Sequence, residues 1–290
     1  MIFEEEVPVF PPGIFLKDAR LVDAVTGAEV PLNETARFLL SSIDGERTMG
    51  EIAAAASRRY GVATEQATSD FSQLAARLNE KYLLNLDTPF RSRLPLLPRV
   101  TRLFIVGMLA GHIFAPWHRR RMEVSNQSRL ACFLCILRWL GLRSWVIGCL
   151  VGLATWMLLG AVSSSVWLIF ATALASSVSL LVHEAAHAVA LVPVPAFLGV
   201  YGPSTKVQHR PVTPRKGLLV STAGPAITGS LGLPVLLGSG FLNSGPLVLV
   251  AMMLLLNLLG LTVATPDGRN ALLNLALALE SNEEVAASSR

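Results

Sequence analysis

His183-Glu184-Ala185-Ala186-His187 holds the residues best suited to chemistry. On a helix, histidines four apart share one face, so both imidazoles can reach a single zinc ion. Glu184 lies beside them, where its carboxylate can take a proton from metal-activated water. The motif also stands at the end of a 39-residue stretch, Ser144 to Val182, that contains no Asp, Glu, Lys or Arg. A carboxylate in a membrane helix costs about 2.5 kcal/mol or more and marks a functional site by default. The bland alternative is a buried His–Glu hydrogen-bond cluster. Catalytic zinc usually takes three protein ligands plus water. Outside the motif, only Asp267 stands at the cytoplasmic end of another expected span. His209, in a basic loop, is the competing third ligand, and it also reads as a solvated loop histidine. His112 and His118 have no partner pattern.

Long apolar helices must carry these residues. Hydrophobic residues make up 52% of the 290-residue chain and charged residues 15%, against roughly 25% charged in soluble proteins. That composition excludes a disordered chain, a collagen-like repeat and a charged nucleic-acid arm. A second uncharged stretch runs for 50 residues, from Gly217 to Pro266. About 20 apolar residues cross a bilayer, so each stretch accommodates a hairpin, with breaks at 161–166 and 238–246. Four spans are expected near 144–161, 166–190, 217–238 and 246–264. Basic residues flank the hairpins (Arg119–Arg121, Arg129, Arg138, Arg143; Lys206, Arg210, Arg215, Lys216; Arg269), and both intra-hairpin turns are uncharged. The positive-inside rule therefore places these segments, and the N-terminal head, in the cytoplasm. Segments 103–117 and 130–142 are short and bordered or interrupted by arginine, and read as interfacial helices. The opening Met1-Ile-Phe-Glu-Glu-Glu does not read as a cleavable signal peptide. Cys132 and Cys135 form a C-x-x-C that reads as two small apolar residues in a helical run.

The segment 144–279 resembles the site-2 protease family of intramembrane zinc metalloproteases. The resemblance rests on His183–His187, Ala223-Gly224-Pro225, Asn257 and Pro266-Asp267-Gly268. It implies zinc ligation by His183, His187 and Asp267, with Glu184 as general base. Three departures stand out. Gly260 replaces a usual proline, Pro266 replaces a usual leucine, and the Asn257–Asp267 spacing is about two residues long for the family's pattern. Asn257 reads equally as a polar partner of substrate and as an interhelical hydrogen bond. Residues 197–209 alternate Val, Tyr and Thr around Gly-Pro, which suits a hairpin or extended segment as well as a plain loop. In the family such an element can pair with an extended substrate.

The N-terminal head is acidic. Residues 1–90 hold 8 Lys and Arg against 14 Asp and Glu, a net of −6, whereas residues 91–290 hold 16 against 6, a net of +10. A strand over 14–23, a turn at Thr26-Gly27 and a return strand over 29–32 are expected. Three helices follow, capped by Asn33, by a Thr48/Glu51 capping box, and by Thr64 for a helix reaching Asn85. Its acidity argues against nucleic-acid binding. Leu32, Asn33, Ala36, Asp44, Gly45, Arg47, Thr48, Glu51 and Ile52 resemble the pattern of PqqD-type domains, the leader-binding elements of ribosomally made, modified peptide pathways. The resemblance implies that a leader peptide adds as a strand beside the hairpin, in a groove between 28–31, including Val30, and the Phe71/Leu74/Leu78 face. The competing reading makes that helical stripe the domain core.

The expected fold is an α-helical polytopic membrane protein, with four core transmembrane helices plus interfacial helices, and a small N-terminal α+β winged-helix-like domain. Its parts are a recognition domain over 1–90, a linker with juxtamembrane helices over 91–143, and a protease core over 144–290. The expected activity is zinc-dependent endopeptidase cleavage of a leader-bearing precursor peptide at the cytoplasmic membrane. The expected partners are that peptide, the lipid bilayer, and either a second copy or a peptide-modifying enzyme or exporter. Two rival readings are regulated intramembrane proteolysis of a membrane-bound regulator, and a non-catalytic peptide receptor or export component.

Overall fold

The computed structural model describes residues 4–88, 118–159, 166–201, 204–242 and 244–288. The chain divides into two compact units. The first contains the N-terminal head, the segment up to Glu123, and residues 197–209 from later in the chain.

In this unit β1 (Val7–Val9) pairs antiparallel with β5 (Asn85–Asp87). Strands β2 (Ile14–Lys17), β3 (Arg20–Asp23) and β4 (Glu29–Pro31) form an antiparallel meander in that order. The expected single strand over 14–23 is therefore two strands, because Asp18 turns the chain in the left-handed region at φ +54°. A short polar side chain tolerates that conformation, and Asp is among the few residues that do. Asn33 caps α1 (Glu34–Ser41) by accepting the Ala36 N–H at 2.8 Å. Helix α2 (Met49–Tyr60) opens with the reciprocal Thr48/Glu51 capping box and closes at Gly61 with φ +65°. Helix α3 spans Thr64–Glu80; Ala63, not Thr64, holds the cap position, and the helix ends before the expected Asn85, which belongs to β5. Leu40, Ile52, Ala53, Phe71, Ala75 and Leu84 are completely buried where the three helices meet the strands.

A third sheet joins distant parts of the chain in the order β6 (Arg120–Glu123), β7 (Ala196–Tyr201), β8 (Ser204–His209). Residues 197–209 thus form a hairpin. Arg119–Arg121, expected among the basic residues that flank the spans, bond within the first unit. Arg121 is buried against Asp23, Arg120 pairs with Asp87, and Arg119 donates to the Glu80 carbonyl. His118, which showed no partner pattern in sequence, lies 2.5 Å from the buried Glu6.

The second unit is helical. It contains α4 (Arg129–Leu159), α5 (Val166–Leu191), α6 (Pro214–Ser230), α7 (Gly232–Leu242), α8 (Gly245–Leu255), a 3-10 helix (Leu256–Leu261) and α9 (Pro266–Ser288). Three stretches are long and apolar enough to cross a membrane: Arg129–Leu158, Trp167–Leu191 and Pro214–Leu242. The expected fourth span, 246–264, overlaps Gly245–Leu261, which is long and apolar enough to cross only when taken together with Pro266–Glu280, from which it is bent by 41°. Large apolar side chains point outward, Phe241 being 90% exposed, a pattern that suits helices apolar enough to cross a membrane. Segment 130–142 is not a separate interfacial helix but the first turns of α4, which at 1.5 Å per residue is about 46 Å long and exceeds the hydrocarbon thickness. Segment 103–117 and His112 lie outside the described residues.

Small residues let α4 and α5 approach closely. A Cβ on Gly148 would collide with Ser177 and the Ala173 carbonyl, and one on Gly152 would sit 2.6 Å from the Ile169 carbonyl. This Gly-x-x-x-Gly face lets the two helices pack closely, in the pattern that small residues give pairs of apolar helices. Helix α5 stops at Leu191 because Val192 precedes Pro193, and a residue before proline disfavours helical geometry. The Lys216 ammonium donates to the Val192 carbonyl at 3.3 Å, placing a cation just past that helix end.

Candidate metal centre

His183 and His187 lie one turn apart on α5, and Asp267 occupies the first turn of α9. The Nε2 atoms of the two histidines are 3.1 Å apart. Asp267 Oδ2 lies 3.1 Å from His183 Nε2 and 3.4 Å from His187 Nε2. Among the described residues these three form a group that can hold a metal ion. Ligands of a tetrahedral ion with bonds of about 2.0–2.1 Å stand about 3.3 Å apart, and the three observed separations bracket that value.

Side-chain chemistry supports the fit. His187 Nδ1 donates to the Val220 carbonyl at 2.6 Å. That bond fixes the ring and leaves Nε2 to present its lone pair toward the Asp267 carboxylate. Glycine at 224 leaves space for the imidazole, since a Cβ there would collide with His187 Nε2 and lie 2.8 Å from Cε1. Pro225 follows inside α6, so the Ala223-Gly224-Pro225 segment brings a bare stretch of helix against the ring. Glu184 is buried on the same helix.

Helix capping positions Asp267. Thr265 Oγ1 accepts the Gly268 N–H at 3.1 Å, and Pro266 takes the first helical position, where its missing N–H is harmless. Pro266 is thus accounted for by the start of α9. Gly268 is required because a Cβ would collide with the Thr262 carbonyl. Gly260 fits against Pro225, whose Cγ lies 2.9 Å from where a Cβ would be. The 3-10 turn and the break after it take up the long interval between Asn257 and Asp267.

Asn257 donates to Ser179 Oγ at 2.9 Å, and to the Met253 and Leu254 carbonyls of its own segment. Ser179 is one turn before His183, so this bond ties the metal helix to the 3-10 segment. His209 lies in β8 and is not part of the metal group. Sequence reasoning missed the Val220 carbonyl, a backbone acceptor without a signature, and the Thr265 cap, which Thr-Pro-Asp-Gly does signal.

In the first unit, Asp44 accepts the Glu46 and Arg47 N–H groups and the Arg47 guanidinium, with Gly45 at φ +80°. Those bonds hold its carboxyl well below the usual carboxylate range. Asn33, Asp44, Gly45, Thr48 and Glu51 thus form caps and turns. Residues 19–84 match the family of Coenzyme PQQ synthesis protein D (PqqD). No curated protein and no solved structure matches the chain. Within the PqqD segment, Phe71 and Leu78 belong to the core rather than to a surface a peptide could touch, as the competing reading had it. Leu74 and Val30 are half-buried at its margin.

Proposed function

We propose that the protein is a membrane-embedded zinc endopeptidase that uses its PqqD segment to capture the leader of a precursor peptide. The observation carrying this reading is the convergence of His183 Nε2, His187 Nε2 and Asp267 Oδ2 at 3.1–3.4 Å, with Glu184 buried on α5 as the one acidic or basic residue of that helix apart from its histidines. Thiolates are absent from the group, and two imidazoles with one carboxylate suit zinc with an open fourth position. Zinc bound there would polarise the scissile carbonyl and make water more acidic.

The chain's own residues do the rest. Val220 and Ser179 hold the metal helix in orientation, through His187 and through Asn257 respectively. Glu184 takes a proton from the attacking water and returns it to the departing amine, so that the C–N bond breaks without a free amide anion. The PqqD segment supports a leader-bearing peptide as substrate, through strand addition at a sheet edge. The basic residues Arg210, Arg215, Lys216 and Arg269 support a cytoplasmic location for the site.

The test compares wild type with Glu184→Gln, purified in detergent and incubated with a proteome-derived peptide library read by mass spectrometry. Wild type should generate new peptide termini, and the variant should retain zinc but generate none. Cleavage by the zinc-loaded variant at the wild-type rate would remove Glu184 from the mechanism.

A further inference from the structure

The PqqD match ends at residue 84, yet the body it belongs to includes β6 and the β7–β8 hairpin. That hairpin is inserted in the chain between the helix bearing His183 and His187 and the helix bearing Val220 and Gly224. Two side-chain clusters fasten it to the recognition domain. In the first, Arg121 makes a two-pronged bond to Asp23, at 2.8 Å and 2.9 Å, with both side chains almost wholly buried. Its guanidinium carbon lies 3.9 Å from the centre of the Phe197 ring on β7. Asn85 exchanges hydrogen bonds with the Arg121 backbone, and Asn79 does the same with Arg119, so the strand carrying the clamp is pinned at two points.

The second cluster centres on Tyr82. It occupies the left-handed position after α3, with φ +58°, and its N–H donates to Asn79 while that of Leu83 donates to Leu78. This is the helix-ending motif in which glycine is the default, so a tyrosine there costs local backbone energy. Its ring lies against the bare backbone of Gly199, 2.9 Å from where a Cβ would be, and 5.9 Å from Phe197. Arg119 adds its guanidinium over both Tyr82 and Tyr201. The strained residue is therefore the one that grips the hairpin.

We infer that Arg121 and Tyr82 are positioning residues that lock the β7–β8 hairpin to the PqqD segment, so that leader capture and the position of the hairpin are one mechanical event. The functional half of this inference rests on the endopeptidase reading, whereas the lock itself does not. A peptide held at the PqqD segment biases the hairpin, and by linkage the state of the hairpin biases peptide affinity.

Amide hydrogen exchange on the intact chain in detergent micelles tests the lock. Tyr82→Gly relieves the backbone strain while removing the ring. It should leave protection in α1 and α2 at the wild-type level and speed exchange across 197–209 by about tenfold or more. Arg121→Met combined with Asp23→Asn removes the clamp without stranding a buried charge, and should give the same pattern. Hairpin protection equal to wild type in both variants would overturn the inference, as would loss of protection in α1 and α2 together with the hairpin in both. Cleavage of β-casein by the same samples separates the two claims. Loosening the hairpin should raise KM more than it lowers kcat, while a wild type inert towards casein and towards the peptide library would count against the endopeptidase reading and leave the exchange result standing.

Discussion

Gly224→Ala adds a single methyl group, and the structure fixes what that methyl meets. The new Cβ would lie 2.8 Å from His187 Cε1 and 2.9 Å from Cδ2, and closer still to Nε2. Carbon atoms rest about 3.5–4.0 Å apart, so the imidazole must retreat by roughly 0.7 Å or more. Its Nδ1 bond to Val220 opposes the move. Metal–ligand distances are held within about 0.2 Å, so a retreat of that size takes Nε2 out of bonding position. Disturbing the groups that orient a metal ligand typically lowers affinity by about 10–100-fold, or about 1.4–2.7 kcal/mol. Because this substitution moves the ligand itself, the upper end is expected. Glycine to alanine within a helix also favours the helix by about 0.5–1 kcal/mol, so the metal-free fold should not be weakened at the backbone. The assay is zinc titration of the full chain in detergent against a chromophoric chelator. Gly240→Ala is the control, since a Cβ there meets nothing within 4 Å, and it should bind zinc as wild type does. Unchanged zinc affinity in Gly224→Ala would refute the placement of His187 as a ligand pressed against α6.

Three further outcomes are expected. Asn257→Ala removes the bond to Ser179 and should lower thermal stability by about 0.6–1.7 kcal/mol while zinc affinity stays near wild type; a large loss of zinc with unchanged stability would point to a role at the metal instead. Thr48→Ala dismantles the capping box of α2 and should destabilise the recognition unit by about 1 kcal/mol, measured by chemical denaturation. Burial pushes the Asp23 carboxyl up, but hydrogen bonds from Arg121 and Thr26 outweigh it and leave the pKa below the ordinary value. A depressed folded-state pKa means that this stabilisation is complete above the unfolded carboxylate value of about 3.9 and is lost as pH falls through the lower folded value. Wild type should therefore lose more stability than Asp23→Asn on acidification below about pH 4, read by circular dichroism; parallel acid curves would contradict the pairing.

The metal group was legible in sequence because it is built from local rules. Spacing of four sets His183 and His187 on one face, whereas Asp267 was named by its place at the end of another apolar span and by the family resemblance, beside His209 as the competing ligand. Capping was legible at Asn33 and Thr48 for the same reason. At Thr64 the rule named the right helix and the wrong cap, because Ala63 already has the extended backbone and no side-chain bond is made. The turn at Asp18 was hidden because no glycine or proline marks it between the apolar runs 14–16 and 21–22. Segment 130–142 seemed separate because Arg138 interrupts it, yet that guanidinium lies over Trp139, 5.5 Å from the ring centre, and the helix continues. Least legible was the role of Arg119–Arg121. A run of arginine beside apolar sequence reads as a membrane-interface signal, and nothing local reveals a partner for Arg121 that lies 98 residues earlier. Buried long-range pairs of this kind are decided by tertiary packing, which periodicity does not encode.

In the proposed mechanism, three side chains from two helices far apart in the chain hold one catalytic zinc. Its most direct test is elemental analysis of the purified wild-type chain beside a variant carrying His183→Ala, His187→Ala and Asp267→Ala. About one zinc per wild-type chain is expected, and none in the variant. A wild-type chain without zinc, or equal metal in both, would contradict it.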